Sequence, residues 1–191
     1  MSKGKIIVLS GPSGSGKTTL QQKLLASEKF KNRLFKSISV TTRPMRLNEQ
    51  KGRDYLFISQ EEFAKKIKSG EFLEWECVFG NYYGTPKNNV ENLLVGGKNV
   101  LLCIDVKGAA TVSRLYPDAV KIFVTAPTLF VLKDRLIKRG TENQESIESR
   151  IETAKIELQE AKNYKYVVVN DDLDITFNEL EKILSIELNK S

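Results

Sequence analysis

The stretch GPSGSGKTT, Gly11 to Thr19, carries the spacing G-x-x-x-x-G-K-[ST]. Glycine at Gly11, Gly14 and Gly16 lets the backbone take positive φ and approach an anion with no Cβ in the way. The loop Gly11, Pro12, Ser13, Gly14, Ser15, Gly16 would then aim several N–H groups inward, and a helix starting near Lys17 would add the positive end of its dipole. Lys17 would reach the β- and γ-phosphates of a nucleoside triphosphate, the Thr18 hydroxyl would bind Mg²⁺, and Thr19 would follow on the same turn. The plainer alternative is a glycine-rich turn after a strand.

A second anion site follows in SVTTRPMRLNEQKGRDYLF, where Arg43 and Arg46 stand three apart with Ser39 and Tyr55 nearby in the chain. Guanidinium groups bind phosphate through two parallel bonds, so the pair suits a dianionic phosphate. Downstream, FLEWECVFGNYYGT offers Glu74, Tyr82, Tyr83 and Thr85 around a glycine turn. A carboxylate there would accept from the N1–H and 2-amino group of guanine while a hydroxyl donates to O6; adenine lacks that pattern. Alone, a strand glutamate reads more readily as a surface residue.

The elements needed to hold these groups are legible as four apolar runs: KIIVLS (5–10), NVLLCID (99–105), AVKIFVT (119–125) and YVVVN (166–170). Each precedes a stretch with apolar residues three and four apart, which predicts an α/β domain with helices covering a parallel sheet. Residues 36 to 90 alternate differently and predict a small, more antiparallel inserted sheet. Within it Ser59 and Glu62 predict a capped helix start, and Gly70 its end. The charge pattern of roughly 138 to 160 predicts an exposed helix.

The chain has 191 residues, a length suited to one domain with a proper core. Its apolar runs are too short to cross a bilayer, and the N-terminal run lacks a cleavage pattern, so it reads as a first strand in a cytoplasmic protein with no membrane role. Cys77 and Cys103 are separate and read as reduced thiols. A net charge of +6 suits an anionic ligand. Because the basic residues are scattered and no RNA-binding aromatic motif occurs, no nucleic-acid role is expected.

With these motifs in view the chain resembles the guanylate kinase family, from Lys5 to Leu188. The family pattern S-x-T-T-R-x-x-R-x-x-E-x-x-G-x-D-Y is matched by Ser39, Thr41, Thr42, Arg43, Arg46, Glu49, Gly52, Asp54 and Tyr55, and GNYYGT matches as well. RLIKRGTENQESIESRI is similar to the family's lid, and VVVNDDLD to its adenine-side segment.

The resemblance implies a three-layer phosphate-loop core (1–35, 96–137 and 161–191), an inserted mixed or antiparallel GMP-binding segment (36–95) and a helical lid (138–160). It implies transfer of the γ-phosphate of Mg-ATP to GMP, and to dGMP, in purine nucleotide metabolism. GMP phosphate would meet Ser39, Arg43, Arg46, Tyr55 and Tyr83, guanine would meet Glu74 and Thr85, and Gly84 would also line the GMP site. Asp105 would lie near GMP or the hydrated metal, and Asn170 near adenine. Arg135, Arg139 and Arg150 would be the lid arginines, with Lys17, Arg43, Arg139 and Arg150 acting on the transferred group. The plainer readings are strand-end capping for Asp105 and Asn170, and surface pairing of the arginines with Glu142, Glu148 or Glu152.

Two positions depart from the family. Cys103 stands where many relatives have an aspartate, and Lys107 where they often have glutamine, while Thr85 in place of serine keeps the hydroxyl. The absence of histidine is consistent with this chemistry, because the acceptor phosphate oxygen is already anionic and no side chain must remove a proton. Catalysis would then rest on alignment and charge. The rival reading is a non-catalytic, protein-binding domain of guanylate-kinase type, in which the phosphate loop usually loses its lysine or glycines. The sequence is compatible with a monomer or a homo-oligomer.

Overall fold

The computed structural model describes residues 3–47, 49–140 and 143–189. In chain order the first elements are β1 (Ile6–Ser10), α1 (Lys17–Ala26), β2 (Leu34–Lys36), β3 (Val40–Thr41), β4 (Leu56–Phe57), α2 (Gln60–Lys68), β5 (Phe72–Val78) and β6 (Asn81–Pro86). There follow α3 (Lys87–Val95), β7 (Asn99–Cys103), α4 (Val106–Leu115), β8 (Val120–Thr125) and α5 (Leu129–Arg139). The last are α6 (Gln144–Gln159), a 3₁₀ turn (Glu160–Asn163), β9 (Tyr166–Val169) and α7 (Leu173–Asn189).

Five strands form a parallel sheet in the order β2-β7-β1-β8-β9. Central β1 is buried at every residue, as a strand covered on both faces requires. Its side chains alternate. Ile7 and Leu9 pack with Leu20 and Leu24 of α1 and Leu180 and Leu184 of α7. Ile6 and Val8 pack with Val90 and Leu94 of α3 and with Ala109 and Val112 of α4. Burying each such aliphatic side chain contributes about 1.5–3 kcal/mol, so the two clusters fix three layers and hold the carboxyl end of β1 rigid.

The second sheet, order β4-β3-β6-β5, is mixed: β3 runs parallel to β4, while β6 is antiparallel to β3 and β5. β5 and β6 meet through Phe79 and Gly80, at φ 49 and 74, the positive values that a two-residue hairpin turn demands. α2 begins where Ser59 accepts from the Glu62 N–H and ends at Gly70, whose N–H and that of Glu71 return to the Ile67 and Lys66 carbonyls.

The four parallel strands and the inserted sheet agree with the sequence reading. Two elements go beyond it. β2 has only three residues, LFK, too few to show a period. α3 starts after Pro86 with no side-chain cap and a polar first turn, so its apolar face is carried by few residues.

Candidate active site

The phosphate loop leaves β1 at the point where the strand order reverses between β7 and β8, the crevice where ligands bind in open α/β sheets. A Cβ on Gly11 would lie 2.2 Å from the Val124 carbonyl oxygen, and one on Gly16 would lie 2.2 Å from Asn170 Nδ2. Only glycine allows these approaches. Gly16, at φ 91, turns the chain into α1, which begins at Lys17 as expected. Lys17 Nζ folds back on the loop, donating to the carbonyls of Gly11 (2.6 Å) and Pro12 (2.8 Å). Burial pulls its ammonium below the usual lysine range, opposed by Cys103, Glu157 and Asp105 around it.

The loop faces a cavity of about 190 Å³ that reaches from Lys17 and Thr18 to Glu74 and Tyr83. A neighbouring space of about 580 Å³ shares Thr18, Ser39, Arg43, Arg46, Tyr55 and Arg139 with it. The groups expected for a triphosphate and those expected for a second phosphate therefore line continuous space.

At the second expected phosphate site, Arg43 is buried and held from three directions. Glu49 takes its two terminal nitrogens at 2.9 and 2.7 Å, Tyr83 Oη accepts from Nε at 3.2 Å, and the Pro44 carbonyl accepts from Nη1 at 2.7 Å. Burial works against its charge, but the bonds with Glu49 and Tyr83 outweigh it and raise the guanidinium above its ordinary value. Glu49 also accepts the Arg46 N–H at 2.8 Å. Tyr55 packs edge-on against Tyr83, and burial drives its phenol up.

Glu74 of β5 is buried, with Thr85 of β6 donating its hydroxyl to Oε1. Burial pushes its carboxyl up to about 7, while the Thr85 bond pulls the other way. Gly84 sits between β3 and β5, where a Cβ would lie 2.7 Å from the Phe72 ring. Tyr82 turns aside and stacks on Phe63, so of the two adjacent tyrosines only Tyr83 lines the cavity, as strand alternation dictates.

Asp105 lines the cavity and also caps α4, its Oδ1 accepting from the N–H groups of Lys107 (2.8 Å) and Gly108 (2.9 Å). Asn170, expected beside adenine, is buried against the phosphate loop and donates Nδ2 to the Ser15 carbonyl at 2.8 Å. Ser15 is itself buried, so its contribution is backbone. Arg135 turns to the Asp171 carbonyl at 3.3 Å, next to Asn170. Arg139 lines both spaces, with Thr19.

Arg150 donates to Ser13 Oγ at 3.0 Å and lies 4.2 Å from the centre of the Phe79 ring. Phe79 is the hairpin tip, so the helix carrying Arg150 touches both the phosphate loop and the inserted sheet. Glu148 and Glu152, weighed as partners of the arginines, accept from Gln144 and Lys155; Glu142 lies outside the described residues.

Sequence reasoning missed three residues here: Glu49 as the clamp on Arg43, Phe79, and Glu157. Glu157 lies seven residues after Arg150, two turns along the same face of α6, and lines the cavity opposite Lys17. Burial raises its carboxyl to about 7 against the pull of Lys17. Cys103 lines the cavity as an uncharged thiol, which burial drives up against the pull of Lys17, so the position carries no carboxylate charge.

A family model described as guanylate kinase matches residues 3–187. The sequence is 45% identical over 187 residues to a guanylate kinase of Carboxydothermus hydrogenoformans, covering 98% of this chain and 90% of that protein. It is 43% identical over 184 residues to a guanylate kinase of Thermotoga maritima, covering 96% and 86%. The fold is similar to the crystal structure of guanylate kinase from Anaplasma phagocytophilum, with TM-score 0.80, 35% identity, and coverage of 100% of this chain and 89% of that one.

Proposed function

Since the chain belongs to the guanylate kinase family, whose reaction is phosphoryl transfer from ATP to GMP, we propose that its cleft divides that work between two anion sites. The observation that carries this reading is the single cavity running from Lys17 and Thr18 to Glu74 and Tyr83. ATP phosphates would lie in the loop from Gly11 to Thr19, with Arg139 and Arg150 arriving from the lid segment 138–160. GMP phosphate would meet Ser39, Arg43, Arg46, Tyr55 and Tyr83, and guanine would meet Glu74 and Thr85 at the foot of β5 and β6. Asn170 and Arg135 would act beside the nucleotide by holding the loop and the segment after β9.

The acceptor's phosphate oxygen attacks the γ-phosphorus and ADP leaves. Lys17, freed from its own loop carbonyls by the incoming phosphates, neutralises charge on the transferred group, as do the two lid arginines. Arg43 and Arg46 hold the attacking phosphate, and the Arg43–Glu49 clamp keeps that guanidinium in place before GMP arrives. Water must be excluded because it competes as acceptor. The contact of Arg150 with both Ser13 and Phe79 supports closure of the lid and segment 36–95 over the reacting atoms.

The residues fit a magnesium ion held mainly by the nucleotide. Thr18 faces the cavity, and among the described residues no group of three or more His, Cys, Asp or Glu is gathered to hold a metal by itself. Bound Mg²⁺ would supply charge neutralisation on the phosphates. Among the described residues no helix is long and apolar enough to cross a membrane, and the enzyme would work in the cytoplasm on small-molecule substrates.

Coupled ADP production with Mg-ATP and GMP, dGMP, AMP, CMP or dTMP in turn tests the proposal. ADP should form with GMP and dGMP. Equal rates with AMP would overturn the guanine assignment. GMP binding with no ADP from any acceptor would favour the non-catalytic reading, against which the intact loop and Lys17 argue.

A further inference from the structure

Gly108 is the third residue of α4, and its N–H is held by the Asp105 carboxylate at 2.9 Å. Glycine is a poor choice inside a helix, since it gains nothing from packing and loses the most freedom. What a side chain there would meet gives a reason for it. A Cβ on Gly108 would lie 2.5 Å from Glu74 Oε2 and 3.2 Å from Glu74 Cδ, whereas Ile104 Cδ1, at 3.5 Å, is at ordinary contact distance. The clash is thus with the carboxylate of a side chain reaching over from β5.

Glu74 is consequently bounded on both sides. Thr85, its cross-strand partner, takes Oε1, and the bare first turn of α4 receives Oε2. The same end of the helix carries the Asp105 carboxylate, whose charge, with that of Glu76, works against ionisation of Glu74. We propose that Gly108 is a positioning residue for base selection: its missing Cβ is the seat that aims the Glu74 carboxylate at the two donors on the guanine edge. The proposal rests on the assignment of Glu74 to guanine.

The seat has a testable property. The obstructed atom is the end of a flexible side chain, not backbone, and alanine is the better helix former. Gly108→Ala should therefore fold as well as wild type and displace only the carboxylate. Inosine monophosphate reports the loss, because it keeps N1–H and O6 but lacks the 2-amino donor. The experiment measures kcat and KM for GMP, inosine monophosphate and ATP in wild type, Gly108→Ala, Glu74→Ala and the double variant Gly108→Ala/Glu74→Asp, with Tm for each.

For Gly108→Ala the expected result is a GMP KM raised about tenfold, the size of one lost hydrogen bond. The preference for GMP over inosine monophosphate should shrink by a similar factor, with ATP KM and Tm held. The double variant, whose shorter side chain withdraws from the methyl, should recover part of that preference. An unchanged preference in Gly108→Ala beside a collapsed one in Glu74→Ala would overturn the role of Gly108 alone. An equal loss toward GMP and ATP with a lowered Tm would also overturn it, as general damage. An unchanged preference in Glu74→Ala would overturn the guanine assignment beneath it.

Discussion

The Asn170 carboxamide and the Ser15 carbonyl meet at 2.8 Å across 155 residues, tying the end of β9 to the middle of the phosphate loop. The contact is buried, and the bare Cα of Gly16 leaves room for it. Asn170→Ala would leave the Ser15 carbonyl without this donor, a penalty of about 1–3 kcal/mol. With ATP assigned to this loop as proposed, the ATP KM should rise about tenfold while the GMP KM stays within a factor of two. Steady-state kinetics with each substrate varied in turn checks this.

Lys17 rests on the Gly11 and Pro12 carbonyls, bonds that any phosphate must outcompete. On the proposed reading its charge acts chiefly on the group in transfer. Lys17→Met keeps the stem and removes the charge, and kcat should fall by about 10²–10³, the loss typical for one donor to a developing anion. GMP binding, measured by calorimetry without ATP, should stay near wild type.

How far such relationships can be read ahead of the structure depends on whether local spacing or strand register creates them. The phosphate loop is contiguous, and Arg43, Arg46 and Tyr55 lie on one short stretch, so residue type and interval expose them. The β5–β6 hairpin also brings Glu74 and Thr85 together within one local unit. Asn170 is different: its partner is set by β8 and β9 pairing in parallel, from Ile122 with Tyr166 to Thr125 with Val169. The approach of Gly108 to Glu74 likewise needs α4 to pack on β5, for which no sequence interval stands in. Glu157 was hidden by its surroundings, since a charged helix reads as solvated until the cavity beneath it is known.

The clamp on Arg43 leads to a separate prediction. Glu49 holds both terminal nitrogens of Arg43 and the Arg46 N–H, so it orders together the two arginines of the proposed GMP-phosphate site. Charge-assisted, two-point bonds of this kind supply orientation as well as energy. Glu49→Ala should raise the GMP KM about tenfold by freeing Arg43 to wander, with the ATP KM nearly unchanged. If GMP instead bound more tightly, Glu49 would be acting as a competitor of the substrate phosphate.

The proposed guanine contact would make Glu74 couple acidity, stability and substrate choice in one group. Burial raises its carboxyl to about 7, with the Thr85 bond opposing, whereas in the unfolded chain it would ionise near the ordinary value of about 4.3. Below about pH 4 both states are protonated and the contribution to stability is fully present. Between about 4 and 7 the unfolded state releases its proton first, so stability falls as pH rises, by a few kcal/mol at most. Urea midpoints of the free protein should drop from pH 5 to pH 8. Glu74→Gln should flatten that slope in part, with Glu157, shifted the same way, accounting for the rest. GMP binding should run in the opposite direction, because on the proposed assignment the guanine donors require the ionised carboxylate. Its Kd should improve as pH rises toward 7, approaching tenfold per unit. The substrate phosphate ionises near 6, so Glu74→Gln provides the reference in which that step alone remains. A wild-type GMP profile that matched the Glu74→Gln profile would remove Glu74 from guanine recognition, whatever the stability curve did.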